Sequence, residues 1–454
     1  MRFPWMLAVA SLALAAGCGD DSNGGGGGGS GGGEQEACPT MAGPTEHAGE
    51  RIEADAVWTA ADSPHVVTGD VLVGQGATLT IEPCAEVVFA ADASIQVGHL
   101  DSEAHLVAEG DAQRPIALRG QDGATWGGIW VQETATARLA HVTIENTGAV
   151  KTFGNEGAAI LVKGENVEGL RPLLHVEHVT IEDAAGPGVI LVGDAAFSDD
   201  SVGLHVSGAG SENVPFPVVA PPDAASTIPA GSYTGNRTDA IAIRGDRDVR
   251  SAIEWANHGV PYRLIGIPGS YVRIASETDA DATLALGPGV VFEFDPGTFL
   301  WIGSGTAAAP AAGAIRAVGT PAEPVVFTSA AEVPNAGDWV GLTFRGVEVS
   351  PNNQIEYAVI EYAGGDCSCG GLSCATEAEA AVIFMDVAPA DPFIRNTTIR
   401  HSAGHGINRG WSQRDAPGVD TTFLEDNEFE EIGGCRETMY RDELNGCEEP
   451  PPCP

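Results

Sequence analysis

Ala77-Thr78-Leu79-Thr80-Ile81-Glu82-Pro83-Cys84 recurs as Ala282-Thr283-Leu284-Ala285-Leu286-Gly287-Pro288-Gly289. Reading outward from this pair, further matches follow in the same order. Val107-Ala108-Glu109-Gly110 and Arg114-Pro115-Ile116 match Arg316-Ala317-Val318-Gly319 and Glu323-Pro324-Val325. Trp126-Gly127-Gly128-Ile129 matches Trp339-Val340-Gly341-Leu342, and Val142-Thr143-Ile144-Glu145 matches Ala358-Val359-Ile360-Glu361. Trp58 and Trp255 stand near the two starts. The chain is a tandem duplication, and self-similarity of this length signals a repeat architecture.

A shorter unit recurs within each copy. His141-Val142-Thr143-Ile144-Glu145 returns as His178-Val179-Thr180-Ile181-Glu182, and Asn396-Thr397-Thr398-Ile399-Arg400 has the same form. Each is followed within a few residues by Gly148, Gly186 or Gly404. Strand period 2 puts Val142 and Ile144 on one face and Thr143 and Glu145 on the other. Frequent Pro and Gly forbid long helices; residues 248–258 are the best helical candidate. A single coil of such strands cannot bury its apolar face alone, so stacking must supply the core, with Val, Ile, Leu and Ala in like-on-like ladders. That also accounts for a 454-residue chain with only 6% aromatics.

Leu79-Thr80-Ile81-Glu82-Pro83-Cys84, Leu106-Val107-Ala108-Glu109-Gly110, Arg114-Pro115-Ile116 and Trp126-Gly127-Gly128-Ile129 resemble bacterial right-handed parallel β-helix repeat lipoproteins of the pectin-lyase-like superfamily. Asp239-Ala240-Ile241 and Gly259-Val260-Pro261-Tyr262 resemble the join before a second unit in such proteins. The resemblance implies an all-β, right-handed parallel β-helix solenoid in two tandem segments. It says little of activity, because one fold hosts many functions. Cys84 stands where the second copy has Gly289, which suggests a staple from Cys38 that pins the N-terminal segment over the first coil.

The chain start reads as an address. Met1-Arg2 precede an apolar run from Trp5 to Ala16, too short to span a bilayer and fit for a signal-peptide core. Leu14-Ala15-Ala16-Gly17-Cys18 resembles the lipobox of bacterial lipoproteins, which implies Cys18 as the lipidated mature N-terminus. Gly24 to Gly29 and Gly31 to Gly33 then form a flexible leash, about 25 Å on average for such composition. The expected organisation is a signal peptide over 1–17 and lipidated Cys with linker over 18–36. A first β-helix segment over 37–210, a connecting segment over 211–244 and a second β-helix segment over 245–436 follow. A Cys/Pro-rich tail over 437–454 ends the chain. With Cys18 set aside, eight Cys remain: Cys38, Cys84, Cys367, Cys369, Cys374, Cys435, Cys447 and Cys453. An even number in an exported chain reads as disulfides. The last six cluster towards the C-terminus as a disulfide-rich cap, which leaves Cys38 and Cys84 as a pair.

The net charge of -41 excludes nucleic acid and acidic lipid as broad-surface partners, by repulsion. Gly404-His405-Gly406-Ile407 resembles the Gly-His-Gly element of polygalacturonases. Yet Ala184-Ala185-Gly186-Pro187-Gly188-Val189 has the same glycines in the first copy, and Thr397-Thr398 stand where the family wants aspartate. His405, Arg400 and Arg409 are therefore only weak catalytic candidates, with Arg414 completing the densest basic group. Asp199-Asp200 and Asp279-Ala280-Asp281 are weak metal candidates, and calcium is the cofactor they would suit. Cys367-Ser368-Cys369 is spaced too tightly for a usual zinc pair. His141 and His178 make half a metal site at equivalent strand positions. Trp126, Trp130, Trp301, Trp339 and Trp411 raise the idea of a sugar platform, although the repeat-equivalent Trp126 and Trp339 suit a structural role.

These readings combine into an exported, membrane-anchored lipoprotein of the outer membrane and cell surface. It is expected to be a monomer that presents a β-helix for binding carbohydrate or a cell-surface protein, without catalysis or an assigned cofactor. The alternative is a carbohydrate-active enzyme of the pectin-lyase-like superfamily, a polysaccharide lyase or glycoside hydrolase.

Overall fold

The structure, a computed structural model, describes residues 37–98, 102–149, 157–165, 167–278, 282–306, 309–346, 349–366, 379–385, 387, 389, 391–409, 421–438, 442–443 and 446–447. It is all-β: short strands follow one another round three faces of a coil, and in the four large sheets each strand pairs in parallel with the strand one coil away, while Ser304–Thr306 with Ala309–Ala311 and Asp442–Glu443 with Gly446–Cys447 are antiparallel. This is a parallel β-helix. Parallel crossover connections are right-handed in nearly all cases, which gives the coil its hand.

The core is a set of side-chain columns. Leu79 pairs with Leu106, Leu106 with Ala137, Ala137 with Leu174, and Leu174 with Phe197. All five are buried. In the second copy Leu284 lies between Ile253 and Ile315 and is equally buried. Leu79 and Leu284 therefore hold the same inward position in their own columns. Trp58 pairs with Ile81 and Trp255 with Leu286, so the two leading tryptophans are equivalent as well. Full burial of one such Leu stabilises the fold by about 2 kcal/mol.

One column runs through both copies on the 14-stranded sheet, which extends from Arg51–Ile52 to Glu428–Glu430. It passes Val71, Ile95, Ile129, Ile160, Val189, Val218 and Ile241, then Tyr262, Phe292, Phe327, Ile360, Ile399 and Phe429. Residues 211–244 belong to this stack, since Val218–Ala220 and Ile241–Arg244 are two of its strands. The column also exposes a mismatch of phase. Ile129 and Ile360 share it, yet their repeat partners do not. Ile144, the partner of Ile360, is in the 13-stranded sheet, and Leu342, the partner of Ile129, is in the six-stranded sheet. The second copy is thus stacked one face round from the first.

The shift occurs between Ile241–Arg244 and Tyr262–Ile265. After Arg244 the chain passes Val249, bridged to Ile274 of the six-stranded sheet, and then forms the strand Ala252–Trp255. The best helical candidate, 248–258, therefore holds the strand Ala252–Trp255 instead. Pairing with Thr283–Leu286 buries the Trp255 indole, whose N–H donates to the Pro222 carbonyl at 2.9 Å. Stacking overrides local preference here. Helix among the described residues is confined to the short 3-10 turns Gln121–Gly123 and Ala224–Thr227.

Corners are made by single residues in the left-handed region. His141, His178, Tyr357 and Asn396 have φ between 48° and 51°. Asn146, Asp183, Tyr362, His401 and Glu431 do the same at the next corner. The long strand Arg171–Glu182 runs through one such corner at His178. Rings stack along these edges, with Tyr362 over His401 at 4.9 Å and 11°.

Cys84 has φ 72°, matching 74° at Gly289, and is disulfide-bonded to Cys38. A side chain is kept at a glycine-type turn because it carries this staple. Cys435 is also disulfide-bonded. Cys447 lies in the two-residue strand Gly446–Cys447. Cys18, Cys367, Cys369, Cys374 and Cys453 fall outside the described residues. Replacing the staple by Cys38→Ser with Cys84→Gly is expected to lower unfolding stability by about 2–4 kcal/mol. In denaturant titrations reductant should shift the wild-type midpoint further than that of the double variant.

Candidate functional site

A groove of about 910 Å³ lies on the outer side of the five-stranded sheet of the second copy. Period-2 alternation makes it. Ile253, Leu284 and Ile315 point inward, while Glu254, Ala285, Arg316 and Gln354 form one outward row in register. A second outward row holds Val318, Glu356 and Arg395. Residues 351–353 and 391–393 form walls. Asn353 locks its wall: its side-chain oxygen accepts from the Ile315 amide at 2.9 Å and its amide donates to the Ser350 carbonyl at 2.9 Å. Phe393 lies against the rings of Phe344 and Phe423 while lining the groove.

The groove brings together two cations that no carboxylate among the described residues holds. Many other arginines tie one coil to another: Arg138 to Glu109 at 2.8 Å, Arg171 to Asp194 at 2.7 Å, Arg263 to Asp295 at 2.7 Å. Arg119 is bound to Glu86 in the same way. Among the described residues Arg316 and Arg395 form no ion pair. Arg316 donates to the Gln354 side-chain oxygen at 3.4 Å, and Arg395 to the Pro392 carbonyl at 3.1 Å. Two guanidinium groups, the Gln354 and Asn352 amides and one aromatic edge thus share a channel with the carboxylates Glu254, Glu356 and Asp391.

Several charged pairs gather at the junction of the copies. Arg247 donates to Asp223 at 3.0 Å, and burial pushes the Asp223 carboxyl above its usual range against the pull of that guanidinium. Burial also raises Asp246, with Arg244 and Arg247 opposing. Asp248 accepts from Arg273 at 2.9 Å, and that bond raises Arg273. These pairs fasten the chain where the phase changes.

The sequence candidates are placed as follows. Arg400, on Thr398–Arg400, donates to Glu361 at 2.6 Å, while Thr328 holds the other Glu361 oxygen at 2.8 Å. Arg409 follows His405–Asn408 on another sheet and faces Glu437 at 3.3 Å and the Thr421 carbonyl. His405 Nδ1 accepts from the Cys435 amide at 2.8 Å. A Cβ on Gly404 would lie 2.1 Å from the Glu379 carbonyl, and one on Gly406 2.5 Å from that of Arg436. The glycines therefore serve coil packing. Asp200 accepts from Ser198 at 2.6 Å and lies 3.0 Å from His175 Nδ1, and the Ser198 bond leads in lowering its pKa. Ser198 meets the same Nδ1 at 2.9 Å, so serine and carboxylate share one nitrogen. A nucleophile relay needs them on opposite nitrogens. Asp199 is exposed beside them. Asp279, Asp281, Trp411 and Arg414 lie outside the described residues.

Trp126 and Trp339 are buried, stacked on Phe89 and Phe294 at 3.9 and 4.0 Å, and their indoles donate to the carbonyls of Glu145 and Glu361. The Trp130 indole donates to Gly127 at 3.0 Å. Trp301 sits on a different sheet under Arg345, 5.6 Å from the ring centroid. The described tryptophans do not form one platform. Sequence reading missed Arg316, Arg395 and Phe393, whose grouping depends on register. It also missed Glu293, whose carboxyl burial pushes up.

No family model, no curated protein and no solved structure matches this chain. No helix among the described residues is long and apolar enough to cross a membrane.

One buried base sets an acid limit on stability. Burial beside Tyr233 and Tyr262 pushes His258 from 6.5 down to about 4, and its Nε2 lacks a partner. Between those values the unfolded chain binds the proton and the folded chain does not. Stability from this source is therefore lost as pH falls from 6.5 towards 4. In denaturation at pH 7 and pH 4.5, His258→Phe is expected to reduce the acid loss by about 1–3 kcal/mol.

Proposed function

We propose that this protein is an envelope-anchored binding module that holds an extended carbohydrate in the groove of Arg316, Gln354, Phe393 and Arg395. The observation that carries this reading is that two guanidinium groups without ion pairs line one groove of a chain of net charge -41. Planar amide and guanidinium donors suit hydroxyl and carboxylate oxygens, and an aromatic edge suits the apolar face of a sugar. A row of side chains with one strand spacing per rung suits a repeating chain. Export and lipid anchoring through Cys18 rest on the leader sequence, and the Cys38–Cys84 disulfide supports an oxidising compartment.

A catalytic reading, as a polysaccharide lyase or glycoside hydrolase, has one observation in its favour. Glu293 lies in an outward row with Arg263 and Thr328, and burial raises its carboxyl while Arg263 opposes. A carboxyl whose pKa burial raises is one feature of a general acid. Glycan-array binding combined with a reducing-end release assay separates the two. Binding without release is expected, and Arg316→Ala should weaken it at least about tenfold, the loss of one charged hydrogen bond. Release of sugar ends that Glu293→Gln abolishes would favour the enzyme.

A further inference from the structure

At the corner where the strand Arg171–Glu182 bends, the left-handed residues His141 and His178 lie in successive coils, their rings 5.0 Å apart and tilted by 32°. The His141 amide donates to the Glu177 carbonyl at 2.8 Å and fixes the separation of the two coils. That bond sets the Glu177 side chain beside both rings. One ligand atom from each of His141, Glu177 and His178 lies within 4.8 Å of the other two. We propose that these three side chains form a surface site for a divalent transition metal ion of the zinc class.

The second copy supplies an internal control. Its equivalent corner carries Tyr357, Arg395 and Asn396 where the first has His141, Glu177 and His178. Tyr357 and Asn396 adopt the same φ, 51° and 50°. The corner thus requires neither imidazole nor carboxylate, and the donor set of the first copy is additional to the needs of the turn. The next coil makes room: Gly203 takes the corner, and a Cβ there would lie 2.7 Å from His178 Nδ1.

Two imidazoles and a carboxylate favour zinc, nickel or copper over calcium or magnesium, which prefer oxygen donors. Three donors at about 2.1 Å from one tetrahedral ion stand about 3.4 Å from one another, so closure from 4.8 Å needs side-chain rotations of about an ångström. Three protein donors leave a coordination position for water or for a donor from a partner.

The full chain, freed of metal, is titrated with Zn²⁺ by calorimetry and with Co²⁺ by visible absorption, in the presence of excess Ca²⁺. One ion per chain is expected, with a cobalt spectrum showing nitrogen ligation. His141→Tyr and His178→Asn place the residues of the second copy at corners that already accept them. Each should weaken binding at least tenfold without lowering the metal-free melting temperature, and Glu177→Gln should weaken it measurably. Equal affinity in wild type and the His141→Tyr/His178→Asn double variant would overturn the site. Unchanged affinity in Glu177→Gln would overturn the three-donor geometry.

Discussion

Everything in this molecule depends on contact between inward side chains of successive coils. A strand such as Ile129–Val131 is too short to bury anything by itself. It becomes core because Ile95 lies on one side of Ile129 and Ile160 on the other. Each rung covers its neighbours, and each backbone edge is paired by the next coil. Burial and hydrogen bonding are therefore supplied by the same act of stacking. The arginine–carboxylate pairs add register on the outside. They also occupy most of the few cations, and of those left over Arg316 and Arg395 share one groove.

The corners show how narrow the sequence requirements are. A residue at φ near 50° usually costs energy, and Asn, Asp, His and Gly bear it best. Most corner positions obey this, with Tyr357, Tyr362 and Glu431 as exceptions held by their neighbours. Tyr362 stacks on His401, which in turn lies 2.9 Å from Glu431. Chemistry at a corner is thus largely free of the fold, and the same turn presents histidines in one copy and Tyr357 with Asn396 in the other.

Much of the fold was legible in the sequence because duplication is a long-range signal that needs no local propensity. Leu79 and Leu284 predict each other, and Cys84 against Gly289 marked the staple. The strand at Ala252–Trp255 was not legible, because its partner Thr283–Leu286 decides it and local pattern does not. The site was hidden for a related reason. Glu254, Arg316 and Gln354 are far apart in sequence and meet only through register across the coils. His141 and His178 were visible as a pair, whereas Glu177 becomes a third donor only once the corner is folded. His405 was the opposite case, conspicuous in sequence and used for packing.

The rotation of the second copy by one face has a geometric outcome for any duplicated loop. Had the copies kept phase, the segments around Trp126 and Trp339 would look the same way along one side of the rod. Turned as they are, they look towards different quarters, and no single flat partner can meet both. A loop grafted at equivalent positions in the two copies would therefore reach two separate partners, so the duplication widens the directions of display instead of doubling grip on one target.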